Sequence, residues 1–142
     1  MKKREMRDIR PGLRVIVTAG AAGIGEAIAR TFADRGGSVF ICDINETSLA
    51  KLAHERPDIG QMRADVSNEK QVENFFESAL NALGGLDVLI NNAGIAGPTA
   101  PIDEMATEDW LRTIDINLNG HFYCLRRAIP QLKKTKDGVI IN

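Results

Sequence analysis

This sequence is short of aromatic residues, sparing with cysteine, almost neutral and free of long apolar runs, and each shortage excludes something. Cys42 and Cys124 are its two cysteines; they lie far apart, and neither has a Cys-x-x-Cys neighbour. Neither a disulfide scaffold nor a zinc site is therefore indicated. Both are expected to pack as small hydrophobes in a reducing compartment, which makes the chain cytoplasmic. A net charge of −1 exerts no long-range pull on nucleic acid or an anionic membrane. No run is long enough to span a bilayer, and the first ten residues lack the apolar centre of a signal peptide. With five basic and two acidic residues, Met1–Arg10 reads as a solvated, partly disordered tail and not as a nucleic-acid arm. What is left, 142 residues that are 44% hydrophobic and 26% charged, suits one soluble domain. Such a domain buries roughly 70% of its extended-chain surface.

Apolar periodicity switches between strand and helix along the rest of the chain. Val15–Val17 is a β-branched run, and Ile24, Ala27, Ile28, Thr31 and Phe32 then recur at helical spacing until Gly36-Gly37. Ser38–Asp43 reads as a second strand. A helix capped by Asn45 comes next, with Leu49, Leu52 and Ala53 on one face, and Pro57 ends it. Ile59–Ala64 is a weaker third strand. Ser67 is the expected cap of a helix whose stripe of Val72, Phe75, Phe76, Ala79, Leu80 and Leu83 closes at Gly84-Gly85. Leu86–Ile90 is apolar throughout except Asp87, as in strands buried on both faces of a parallel sheet. After a loop over Ile95–Met105, Thr107 should cap one long helix reaching about Lys134, kinked near Pro130. Its expected apolar face is Leu111, Ile114, Leu118, Phe122, Leu125, Ile129 and Leu132, widened by Trp110, Cys124 and Ala128. Val139–Asn142 reads as a fifth strand. Right-handed crossovers then give an α/β, doubly wound parallel sheet in the order 3-2-1-4-5.

The junction of the first strand and helix is the stretch with chemical content. Gly20-x-x-Gly23-x-Gly25 lies between them, where glycines let backbone amides approach an anion and the helix N-terminus offers unpaired donors. Three glycines alone are weak evidence; their place between strand and helix makes them strong. Asp43 ends the second strand 23 residues after Gly20, placed to accept hydrogen bonds from ribose hydroxyls and to repel a 2′-phosphate. Ala21, Ala22 and Ile44 supply no basic residue for such a phosphate, so NAD is expected over NADP. The ends at Asp65-Val66 and Asn92-Ala93-Gly94 flank the first strand in this order and can wall in the adenine and ribose.

Taken together, Thr18-x-x-x-x-Gly23-Ile-Gly25, Asp43, Asp65-Val66, Asn91-Asn-Ala-Gly94 and Asn117-x-x-Gly120 resemble the short-chain dehydrogenase/reductases over residues 12 to 142. One departure is Ala19, where the family usually has glycine, so this position must take a backbone conformation that Ala can reach. The resemblance implies a Rossmann-type domain over 11–142, incomplete and truncated after strand five. It also implies a cofactor site built from Gly20, Ala22, Gly23, Ile24, Gly25, Asp43, Ile44, Asp65, Val66, Asn92, Ala93 and Gly94. Asp65 would bond the adenine amino group, with Val66 beside it. Asn117 would be the catalytic asparagine that holds a relay water, although the pattern alone favours a structural Asn with a satisfied amide. His121, on the same face, is expected to be a packed helix residue and not a general base.

The family's serine and Tyr-x-x-x-Lys pair have no counterparts here. Tyr123 is the only tyrosine; Arg127 stands four residues on, and the ring is expected to point away from the apolar arc. The resemblance therefore implies an NAD-dependent oxidoreductase that interconverts a secondary alcohol and a ketone, while these 142 residues alone are expected to be inactive. Self-association is expected through the helix 107–134, the strand 139–142, or both. Two rival classes are a non-enzymatic NAD(H)-binding module and an S-adenosylmethionine-dependent methyltransferase. Asn91-Asn-Ala-Gly94 and Asn117-x-x-Gly120 argue against the methyltransferase.

Overall fold

A computed structural model of the chain describes residues 9–142; most of the basic tail, residues 1–8, lies outside the described residues. Five parallel strands, β1 (Arg14–Thr18), β2 (Ser38–Asp43), β3 (Gly60–Arg63), β4 (Val88–Ile90) and β5 (Val139–Ile141), form one sheet in the order β3-β2-β1-β4-β5. This is the order that alternating periodicity and right-handed crossovers require. The third and fourth strands are shorter than expected. Ile59, Ala64 and Leu86 stay buried but lie just outside the ladder.

Helices α1 (Gly23–Asp34), α2 (Glu46–Glu55), α3 (Glu69–Leu83), α4 (Thr107–Ile114) and α5 (Gly120–Leu132) complete the fold. The residues of β1 alternate between two cores. Ile16 packs with Phe75, Phe76, Leu89, Cys124 and Ala128 on the α3/α5 side, while Val15 and Val17 pack with Ala29, Leu49 and Leu52 on the α1/α2 side. Period-two alternation thus buries both faces of the central strand. Both cysteines are fully buried in the first core, and burial pushes the Cys42 thiol up and that of Cys124 up to about 12. Neither supplies a thiolate near neutral pH.

Several local expectations are corrected. Asn68, not Ser67, caps α3, its side chain accepting from the Gln71 amide at 3.0 Å. Thr107 is the first residue of α4, and Ala106 precedes it without a side-chain cap. The long helix is interrupted by a π-helical segment, Asp115–Asn119, before α5 begins. The buried face of α5 is Gly120, Cys124, Ala128 and Leu132. Leu111, Leu118, Phe122 and Ile129, with Trp110, are exposed, so the sheet covers only part of the broad apolar face from which self-association is expected. Tyr123 does not point away: its ring packs against the core containing Cys124. Ile24 is exposed, and α1 packs through Gly25 and Ala29 with Ile28 and Phe32 beside them; in α2, Ala53 is exposed. Among the described residues, no helix is long and apolar enough to cross a membrane.

Candidate dinucleotide site

The carboxyl ends of β1, β2 and β4, with the turn after β3, meet at one edge of the sheet. Helix α1 starts there. Its first intrahelical bond runs from Glu26 N–H to Ala22 O at 3.1 Å, leaving the amides of Gly23, Ile24 and Gly25 without a helical acceptor. Asn45 and Asn68 cap α2 and α3 with their side chains; Ala22, before α1, has nothing to offer. Gly23 sits at φ +56°, and a Cβ there would meet nothing within 4 Å. Uncapped amides beneath open space are what a pyrophosphate needs.

The three glycines have different tasks. Gly20 turns inward: its amide donates to Cys42 O at 3.0 Å, and a Cβ would stand 2.7 Å from Ile41 Cβ. It therefore packs the turn onto β2. Gly25 lets α1 press on the turn, since a Cβ there would lie 2.5 Å from Asn92 Nδ2 and on top of the Ala19 carbonyl. Asn92 Nδ2 in turn donates to both Thr18 O and Ala19 O at 3.1 Å. Ala19 holds the turn's single positive φ outside glycine among the described residues, +51°. Left-handed backbone at an alanine costs about 1 kcal/mol or more, and here it lies at the position where the family usually has glycine.

Asp43 projects from the end of β2 toward this turn. Its Oδ2 accepts from Ala21 N–H at 3.1 Å and its Oδ1 from Asn45 N–H at 3.0 Å, so the carboxylate is aimed before any ligand arrives. Beside it lies a cavity of about 100 Å³ that brings together Asp43, Ile44, Asp65, Val66, Ala93 and Gly94. Asp65 Oδ1 accepts from the amide and hydroxyl of Ser67 at 2.9 and 2.7 Å, leaving Oδ2 without a protein partner among the described residues. Ala22, Gly23 and Ile24 stand at the helix start, not in this cavity, as a dinucleotide reaching from adenine to pyrophosphate requires.

Four further residues line the cavity that the sequence did not single out for it: Ala19, Ala64, Ile95 and Ile116. Ala64 and Ile95 each adjoin a motif residue, as Ile116 adjoins Asn117, and that adjacency is their only signal in the sequence; Ala19 stands in the glycine turn itself. Thr18 also does more than end a strand. It is fully buried, and its Oγ1 accepts from Ala93 N–H at 3.0 Å, joining β1 to the end of β4.

Asn117 lies in the π-helical segment. Its Oδ1 accepts from Ile95 N–H and its Nδ2 donates to Ile95 O, both at 2.8 Å. Its amide thus bonds the two peptide groups that flank Ile95 and fixes the loop after β4, while one lone pair on Oδ1 and one hydrogen on Nδ2 stay available. His121 is half-buried on the next turn, with Nε2 3.0 Å from Ala93 O. Among the described residues, no cluster of His, Cys, Asp or Glu could hold a metal ion.

A parallel doubly wound sheet with a glycine turn, an uncapped helix start and a carboxylate one strand over is the Rossmann-type fold, the class in which dinucleotides bind at this edge. The chain belongs to the short chain dehydrogenase family, whose model matches residues 14–142. It is 35% identical to a 3beta-hydroxysteroid dehydrogenase of Eggerthella lenta, across all of this chain and 56% of that one. It is 38% identical to the NAD(+)-named 2-dehydro-3-deoxy-L-rhamnonate dehydrogenase of a Sphingomonas species, over 92% of this chain and 53% of that one. Among solved structures, ligand-free Thermoplasma acidophilum aldohexose dehydrogenase superposes with a TM-score of 0.79 at 35% identity, covering 94% of this chain and 49% of that one. The chain spans about half the length of the curated relatives it matches.

Proposed function

We propose that these residues form the NAD-holding part of a short-chain dehydrogenase that interconverts a secondary alcohol and a ketone. The observation that carries the choice of NAD is the Asp43 carboxylate, held by the Ala21 and Asn45 amides with no basic residue at Ala21, Ala22 or Ile44. A 2′-phosphate would meet a fixed negative charge and no cation. The NAD(+) in the name of the Sphingomonas relative supports the same choice.

In this reading the open amides of Gly23, Ile24 and Gly25 hold the pyrophosphate, Asp43 the adenosine ribose, and Asp65 Oδ2 with Val66 the adenine. Asn92, Ala93 and Gly94 lie along the second ribose. Bound nicotinamide supplies hydride transfer at its C4; what this chain contributes is orientation of the dinucleotide. Tyr123 lies half-buried against the core and outside the cavity lining, so it is not assigned the proton transfer, and residues 1–142 alone are inferred to bind without turning over. The relatives act on steroids, sugar acids and sugars by their names, a spread too wide to carry a substrate over.

We also infer that the exposed apolar stripe Leu111, Leu118, Phe122 and Ile129 pairs with a second copy. Glu108 and Asp109 are exposed at its start and Lys133 and Lys134 at its end, so antiparallel helices would match acid to base. Calorimetric titration with NADH and NADPH tests the cofactor. NADH is expected to bind at least tenfold more tightly, about 1.4 kcal/mol; equal affinities would reject NAD selectivity.

A further inference from the structure

Three points on one helix brace the two loops that wall the adenosine cavity. Asn117 holds both backbone groups of Ile95 at 2.8 Å. Gly120 seats the helix on the turn after β3, where a Cβ would come within 2.9 Å of Val66 Cγ2. His121 reaches the remaining wall, with Nε2 3.0 Å from the carbonyl of Ala93. That carbonyl can only accept, so Nε2 carries the proton in this arrangement.

Ala93 is thereby held from two sides. Its N–H donates to the buried Thr18 Oγ1 at 3.0 Å, and its C=O accepts from His121 on the opposite layer. Without the imidazole, a carbonyl in a mostly buried residue would lose the one side-chain donor shown for it, and the loop could turn to find another. Because Ala93 and Gly94 line the cavity directly, such a turn changes its shape.

We propose that His121 is a positioning residue of the cofactor site: its Nε2–H holds the Ala93 carbonyl and so sets the wall formed by residues 93–95. It does not touch the cofactor and transfers no proton. The proposal rests on the NAD assignment above, and its test separates the two. His121→Gln keeps a donor at nearly the same reach, whereas His121→Leu keeps the bulk and removes the donor.

Amide exchange at Ala93–Ile95, measured without cofactor, is expected to quicken about fivefold in the Leu variant, the worth of one neutral hydrogen bond. The Gln variant should stay near the parent rate. NADH affinity should fall by a similar factor in Leu and recover in Gln, with all three proteins equally helical. Unchanged exchange in Leu, or equal losses in Leu and Gln, overturns the positioning role. Should the parent chain fail to bind NADH, the cofactor assignment falls while the exchange comparison still decides whether His121 sets this loop.

Discussion

Gly25 sits against Ala19 so closely that a methyl group on Gly25 would occupy the space of the Ala19 carbonyl oxygen. Nearby, the same Cβ would approach Asn92 Nδ2 to 2.5 Å. Neither neighbour is the loose end of a long side chain: one is backbone, and the other bonds Thr18 O and Ala19 O. Gly25→Ala must therefore push α1 off the turn. A loss of about 1–3 kcal/mol is expected in urea unfolding, in the range of overpacked cores. NADH binding should be lost with it, because the free amides move. A variant of parental stability would show that the approach of α1 to the turn is not enforced.

Asp43 is the residue by which cofactor choice is to be altered. Its two oxygens are aimed by backbone amides at 3.1 and 3.0 Å, so a ligand hydroxyl meets an acceptor that needs no rearrangement. Removing a charged acceptor costs about 1.5–3 kcal/mol, roughly tenfold to a hundredfold in affinity. Asp43→Ala should weaken NADH by that factor and strengthen NADPH, whose 2′-phosphate no longer meets a fixed negative charge. Adding Ile44→Arg, at an exposed position beside it, should turn the preference to NADPH. Titration of the double variant checks this; a retained preference for NADH would place selectivity elsewhere.

Much of this site could be read from the sequence because the signals are local and physical. A β-branched run, glycines and an amphipathic helix locate β1, its turn and α1, while Asp43 and Asp65 stand at strand ends where parallel sheets bind ligands. The failures have a different origin. The π-helical turn at Asp115–Asn119 carries no distinctive residue, so the apolar pattern reads as one unbroken helix. Asn68 caps α3 in place of Ser67 because both are good caps, and only backbone geometry chooses between adjacent ones. The bond from His121 to Ala93 joins residues 28 apart in sequence and leaves no local trace.

Ala19 carries strain that a single substitution should release. An L-residue in the left-handed region costs about 1–2 kcal/mol, and φ is +51° here. Glycine removes that cost but gains about 0.4–1 kcal/mol of unfolded-state freedom. The half-buried methyl group also gives up a little packing. Ala19→Gly should therefore be more stable by about 0.5 kcal/mol, with the melting temperature rising by roughly two degrees. A fall in melting temperature would mean that the methyl contact outweighs the strain.

Leu118 and Phe122 are 61% and 55% exposed and lie one turn apart on the stripe assigned to self-association. Charging both removes apolar area without touching the buried face formed by Cys124 and Ala128. Leu118→Lys with Phe122→Lys is expected to convert an oligomer to a monomer in sedimentation, with unchanged helix content. If the parent chain is itself monomeric at high concentration, or the double variant still associates, the stripe is not the contact.

Acid sensitivity should centre on Asp87, at the opposite end of the sheet from the cofactor site. Its Oδ2 accepts from the Arg14 amide and Nε, both at 2.9 Å, and its Oδ1 from Nη2 at 3.0 Å. The Arg14 guanidinium holds the mostly buried Asp87 carboxyl below the usual carboxylate range. A carboxyl whose folded pKa is depressed stabilises the fold above its unfolded value, near pH 4, and that contribution disappears as pH falls through the lower folded value. The parent should therefore lose stability progressively below about pH 4. Asp87→Asn leaves Arg14 without its bidentate partner and should cost about 2–3 kcal/mol at neutral pH. The acid slope should flatten in the same variant, because the group responsible no longer titrates. Exposed pairs such as Arg56 with Asp58 contribute less, since solvent screens them. Unfolding free energies of the two proteins from pH 7 to pH 2 decide the point: parallel curves would assign the acid loss to other carboxylates, and curves converging below pH 4 would assign it to Asp87.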